Sequence, residues 1–216
     1  MSHIRVFLSY NSSDKKLAGG IKRQLEKFGP KVFLAHEDIE PTQDWIRRIL
    51  RELDKTDVML PILTDNFPRS KWTDQECGIA KAKGAFIIST KVTINPYGFL
   101  ASEQAFKFRL DNVPLSCLNI AKVIHKNRKL PRRFLDGLIQ TVADSHSYDE
   151  AGVRASYLNE FEGYSARQVN EMLRAAVNND QIYRSFIAKR HLATFCSIHR
   201  DKIEESTLKA LRRVGL

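Results

Sequence analysis

Ile4-Arg5-Val6-Phe7-Leu8-Ser9-Tyr10-Asn11-Ser12-Ser13-Asp14 is the stretch that decides the fold. Its first seven residues are rich in β-branched and aromatic side chains, as a buried strand requires. Asn11 to Asp14 then supply turn residues and a helix cap. Leu17, Ile21, Leu25 and Phe28 follow at helical spacing, marking an amphipathic helix. Gly29-Pro30 ends it, because glycine suits the left-handed residue after a helix and proline blocks continuation. Lys31-Val32-Phe33-Leu34 reads as a second short strand.

The same alternation continues downstream. Residues 35–42 are a polar, acidic loop, after which Ile46, Ile49, Leu50 and Leu53 mark one helix face. Residues 57–64 read as a third strand, although Pro61 is awkward in a central one because it cannot donate to the ladder. Residues 65–70 form a loop, with Ser70 as cap of a helix that carries Trp72 and Glu76 and ends near Gly84. Residues 85–89 make a fourth strand. Between Thr93 and Leu115 the pattern weakens around the turn Asn95-Pro96-Tyr97-Gly98. A last short strand is expected at 116–121 and a helix at 132–142. Strands and helices alternating at this length predict a parallel sheet covered on both faces, with right-handed crossovers.

After Ser145 the character changes. Val169, Met172, Leu173 and Ala176 mark one helix, and two more are expected at about 181–198 and 204–214. No strand signal occurs there. The expected organisation is an α/β domain over 1–145 and a small all-α module over 146–216.

Composition narrows the function. The 43% hydrophobic and 28% charged fractions are those of an ordinary soluble chain. No run of about 18 apolar residues predicts a membrane span, and Met1-Ser2-His3-Ile4-Arg5 lacks a signal-peptide pattern. Cys77, Cys117 and Cys196 are too few and scattered for a disulfide framework or a metal site. A reducing cytoplasm is the expected compartment. The net charge of +10 is densest at Lys122, Lys126, Arg128, Lys129, Arg132 and Arg133. Such a cluster can meet a nucleic acid or another anionic partner, but without an interleaved aromatic row or nucleic-acid motif it reads as a solvated loop and helix start.

Ligands of parallel sheets bind outside the carboxyl ends of the strands. Ser9, Tyr10, Asn11, the acidic loop with Asp38, and the Trp72 helix all fall at that edge. On a helix, Trp72 and Glu76 share one face, and a carboxylate held beside an aromatic there can stabilise a sugar cation. The bland alternative for Glu76 is a solvated carboxylate paired with Lys81 or Lys83, and for Trp72 a packing residue. Tyr10 and Phe33, at strand ends, are positioned to stack on the flat ring of a ligand or to belong to the core rim. Ser9 and Asn11 suit hydrogen bonds to phosphate or ribose, or a helix cap. Asp38 and Asp44 suit ribose or partner contacts, or ordinary loop and helix-start roles. His36 has no second ligand at metal spacing. Gly19-Gly20 lies inside a helix, and no GxGxxG or phosphate loop exists.

Across about two-thirds of its length the chain resembles a bacterial or archaeal Toll/interleukin-1 receptor (TIR) domain. The likeness is carried by Val6-Phe7-Leu8-Ser9-Tyr10 with Asp14, and by Val32-Phe33-Leu34 followed by Glu37-Asp38-Ile39 and Pro41. Trp72 and Glu76 stand at that family's WxxxE helix, and Gly98-Phe99-Leu100 with Gln104-Ala105-Phe106 adds to the match. The resemblance implies a flavodoxin-like five-stranded parallel sheet with helices on both faces. It also implies two possible roles. Some TIR domains are scaffolds that assemble with one another; others cleave the nicotinamide–ribose bond of NAD through the glutamate matched here by Glu76. NAD is then a substrate, and no cofactor is expected. The resemblance further implies products of nicotinamide with ADP-ribose or a cyclic ADP-ribose messenger, in prokaryotic antiphage defence or stress signalling. Self-association is implied as a switch, since the acidic loop of family members reaches a neighbouring subunit; Trp45 is placed to anchor that loop. The helical module is a candidate for binding an effector or sensor protein.

The chemistry is self-consistent. Nicotinamide departs neutral, so the reaction needs little acid assistance. The demand is to stabilise an oxocarbenium-like ribose, which a single carboxylate can meet. Ordinary glycoside hydrolysis differs in dividing acid and base roles between two carboxylates.

Overall fold

Strand β1 (Arg5–Ser9) lies inside a parallel sheet, as its apolar composition requires. The computed structural model describes residues 3–35, 45–102 and 104–216. In chain order there follow α1 (Lys15–Leu25), β2 (Lys31–Leu34), α2 (Trp45–Asp54), β3 (Val58–Leu63), α3 (Thr73–Ala82), β4 (Phe86–Ile87), β5 (Thr90–Lys91), β6 (Phe106–Lys107) and α4 (Val113–His125). The spatial order is β2-β1-β3-β5-β6, with β4 also on β3 and every pairing parallel. By contacts, residues 4–26 and 30–124 form one compact unit; residues 125–216, with His3 and Lys27–Gly29, form the other.

Strands β4 and β5 are two halves of one line. Val58 pairs with Phe86 and Ile62 with Thr90, so the register offset is unchanged across the gap. Pro61 causes the interruption. It sits buried in the middle of β3, opposite Ser9 on one side and level with Ser89 on the other. In a parallel ladder its N–H would donate to the Ile88 carbonyl, but proline has none. The Thr90 hydroxyl supplies the missing donor, reaching the Ile88 oxygen at 3.1 Å. The sheet therefore has five strand positions, as expected.

Alternation along the strands divides the sheet's two faces. Phe7, Met59 and Ile87 share one face and pack with Ile49 and Leu53 of α2 and with Cys77 and Ala80 of α3. Each fully buried Phe or Leu of this kind contributes about 1.5–3 kcal/mol. Only half of the expected α2 stripe is inside: Ile49 and Leu53 are buried, whereas Ile46 and Leu50 are 47% and 45% exposed. The strand expected at 116–121 is instead the middle of α4. Ser116, Cys117, Ile120, Ala121 and Ile124 are its buried side, a spacing of three and four that belongs to a helix. The fifth strand position is taken by β6, only two residues long.

The second unit is built from α5 (Pro131–Ala143), α6 (Tyr148–Ser156), α7 (Ala166–Asn178), α8 (Asp180–Tyr183), α9 (Phe186–Ile198) and α10 (Glu205–Arg213). Serines cap three of these helices. Ser147 caps α6, Ser165 forms a capping box with Gln168 on α7, and Ser185 caps α9. The Ser185 cap splits the single helix expected at 181–198 into α8 and α9. Helix α6 was not expected at all. Val169, Met172, Leu173 and Ala176 are all buried on α7, as their spacing predicts. Helix α6 packs on α9, and α7 packs on α5 and α10. Gly29, at φ +100, passes so close to Gly137 that a Cβ there would lie 2.3 Å from the Gly137 carbonyl carbon.

Candidate functional site at the carboxyl edge of the sheet

Helix α3 places an acid where its own pattern asks for an apolar residue. Its buried stripe is Thr73, Glu76, Cys77 and Ala80, so Glu76 points at the sheet and is only 2% exposed. Ser9, the last residue of β1, shares the sheet face of Phe7 and meets it: Ser9 Oγ donates to Glu76 Oε2 at 2.6 Å. Among the described residues Glu76 Oε1 has no hydrogen-bond partner.

Burial raises the Glu76 pKa to about 7, with the Ser9 hydrogen bond pulling the other way. The carboxyl is therefore held near its titration point at neutral pH. Glu76 also lies in the first turn of α3, where the helix dipole favours the ionised form. Lys83 of the bland alternative pairs instead with Asp54 at 2.5 Å, and Ser9 holds Glu76. Burial, then the charges of Glu76 and Asp74, push the neighbouring Cys77 thiol upward and keep it protonated.

Trp72 is the cap residue of α3, one turn before Glu76, whose N–H donates to the Trp72 carbonyl at 2.8 Å. Its half-buried indole meets Trp45 edge-on, with ring centroids 4.6 Å apart. The two indoles thereby pin the start of α2 to the start of α3. Ser70, the expected cap, accepts instead from the Trp72 N–H at 3.2 Å, just ahead of the helix. Tyr97 Oη donates to Asp74 Oδ1 at 2.8 Å and holds the outer side of the same turn.

The remaining candidates separate. Tyr10 is fully buried, because alternation sends it to the face opposite Ser9; its ring belongs to the core. Phe33 stands beside Phe7 in register, ring centroids 5.2 Å apart, on the face that carries Ser9. Asn11 spends its side chain on structure, accepting from Ser13 N–H at 3.0 Å and donating to Asn66 O at 2.9 Å. Asp14 completes this lacing by accepting from Thr64 Oγ1 at 2.6 Å and Asn66 Nδ2 at 3.1 Å. Asp38, with His36 and Asp44, lies outside the described residues. Ser89 escaped the sequence reading. It is fully buried in the row of Ser9 and Pro61, and its Oγ has no hydrogen-bond partner among the described residues. A serine inside an apolar strand run was the available signal.

The model of the TIR domain family matches residues 6–113, half of the chain, and the chain belongs to that family. The matched segment runs from β1 to the first residue of α4 and contains Ser9, Phe33, Trp72 and Glu76. The family includes NAD-cleaving enzymes and scaffolds, and its members self-associate in signalling. No curated protein matches the chain. Among the described residues no helix is long and apolar enough to cross a membrane, and no group of His, Cys, Asp and Glu is arranged to hold a metal ion.

Proposed function

We propose that the chain is an NAD-cleaving TIR enzyme in which Glu76 is the catalytic carboxylate. The observation that carries this reading is a carboxylate taken out of water at the ligand-binding edge of a parallel sheet and held there by Ser9. A buried glutamate with an unbonded oxygen costs stability, and a fold retains such a cost most readily at a functional site.

In the proposed reaction the bond between ribose C1′ and the nicotinamide nitrogen breaks. Its electron pair neutralises the pyridinium ring, and the ribose is left as an oxocarbenium-like cation. Ionised Glu76 stabilises that cation by electrostatics in a low-dielectric site. Water capture gives ADP-ribose; capture by an internal nucleophile gives a cyclic product suited to defence or stress signalling. The positive charge of bound NAD favours the ionised carboxyl, so substrate prepares its own catalyst.

The burial of Glu76 favours a second reading. At 2% exposure it is closed to a ribose until the surface above it parts. Self-association is our proposed route to opening, and a chain that never opens is a non-catalytic scaffold acting by TIR–TIR contacts. Incubating the full chain with NAD over a wide protein concentration range, with and without Glu76→Ala, and separating the products tests both. Nicotinamide release that needs Glu76 and rises per subunit with concentration supports the enzyme. No release at any concentration leaves the scaffold.

A further inference from the structure

Helix α9 packs on α6 and helix α10 on α7. Residues of α9, α10 and the turn that follows α10 line an apolar groove of about 560 Å³. Leu192, Ala193, Leu208 and Leu211 give it an apolar floor. The end of α10 is set by a Schellman motif: Gly215, at φ +71, donates to Arg212 O at 3.3 Å, and Leu216 N–H donates to Leu211 O at 3.1 Å. Lys189 Nζ of α9 donates to Gly215 O at 3.2 Å, tying the two walls together. The concavity is thus built into the backbone, and its volume falls in the range of small-molecule sites.

Its charge is one-sided. The titratable side chains that line it include Lys189, Arg190 and Arg212 but no Asp or Glu. Neither Arg190 nor Arg212 has an ion-pair partner among the described residues. Phe186 forms an apolar lip that is 82% exposed, a large aromatic surface left to water. Apolar floor and cationic rim together select an anion with an apolar body. The groove follows α9 from Phe186 to Cys196, on the order of 15 Å at the helical rise, which suits a linear chain.

From this geometry we propose that the α9–α10 groove binds a medium-chain fatty carboxylate, with the chain along Leu192, Ala193 and Leu211 and the carboxylate at Arg190 and Arg212. The site belongs to the helical unit and the proposal does not depend on NAD cleavage.

Isothermal titration of the full chain with dodecanoate below its micelle concentration tests it. Saturable binding at one site per chain is expected, with dodecyltrimethylammonium at least about tenfold weaker because its charge is reversed. Joint Arg190→Glu and Arg212→Glu is expected to weaken dodecanoate by about tenfold or more. Ala193→Trp, introduced at an exposed position, fills the groove and is expected to abolish binding while the helical circular dichroism is unchanged. The proposal is overturned by no binding, by equal affinity for the two amphiphiles, by binding that survives Ala193→Trp, or by association with anionic vesicles or an acidic amphipathic peptide alone.

Discussion

Ser9 Oγ donates to Glu76 Oε2 at 2.6 Å, joining the last residue of β1 to the first turn of α3 inside the protein. This bond lowers the pKa of a carboxyl that burial raises to about 7. Ser9→Ala removes the lowering influence, so the Glu76 midpoint moves above its wild-type position. If ionised Glu76 is the catalyst, the pH profile of kcat/KM shifts to higher pH in Ser9→Ala, and the two rates converge where both carboxyls are ionised. Equal profiles for the two proteins would contradict this.

Glu76 also makes stability depend on pH. Its native pKa, about 7, lies above the 4.5 of a free glutamate, so the folded state holds the extra proton between those values. Stability is greatest below about pH 4.5 on account of this group and declines as pH rises towards 7, by up to about 3 kcal/mol. Above 7 the contribution is flat. Glu76→Gln removes this component, and urea unfolding at pH 5 and 8 measures the difference.

The hydroxyl that stands in for the missing Pro61 N–H gives a third prediction. Thr90→Val keeps the shape of the side chain but leaves the Ile88 carbonyl without its donor, and should cost about 1–3 kcal/mol. Pro61→Ala restores a backbone N–H at that place. The double variant should lose less than the sum of the single losses, and a mutant cycle in urea measures the coupling.

Gly29→Ala should be among the most damaging single changes in the chain. It combines a positive φ with a Cβ 2.3 Å from the Gly137 backbone. The expected loss is about 3 kcal/mol or more, read as a lowered thermal midpoint.

Much of the sheet domain was legible because its strands are buried on both sides and its helices carry clean apolar stripes. Val6-Phe7-Leu8 and Val58-Met59-Leu60 could hardly be anything but inner strands. What escaped was decided by contacts distant in sequence. Residues 116–121 are apolar enough for a strand, and only the reach of the helical spacing to Ile124 identifies α4. Strand β6 is too short to leave a pattern. Ser9 was recognised as a candidate for holding phosphate or ribose, but its bond to Glu76 spans 67 residues and no local signal announces it. The Trp45–Trp72 contact was hidden for the same reason, each indole having been read against its own helix. For Tyr10 the sequence leaves ligand stacking and the core rim open, because strand ends are ambiguous by one residue and one residue changes the face; its ring lies buried in the core.

NAD turnover by the isosteric Glu76→Gln variant tests the catalytic role of Glu76 most directly. Purified wild-type chain and Glu76→Gln, compared at pH 8 and high protein concentration, should differ by at least about a hundredfold in nicotinamide release, the loss expected when a main electrostatic stabiliser is removed. At that pH the variant should be the more stable of the two, by up to about 3 kcal/mol, because it escapes the cost of ionising a buried carboxyl. Nicotinamide release by Glu76→Gln at the wild-type rate would contradict the assignment of Glu76 as the catalytic carboxylate.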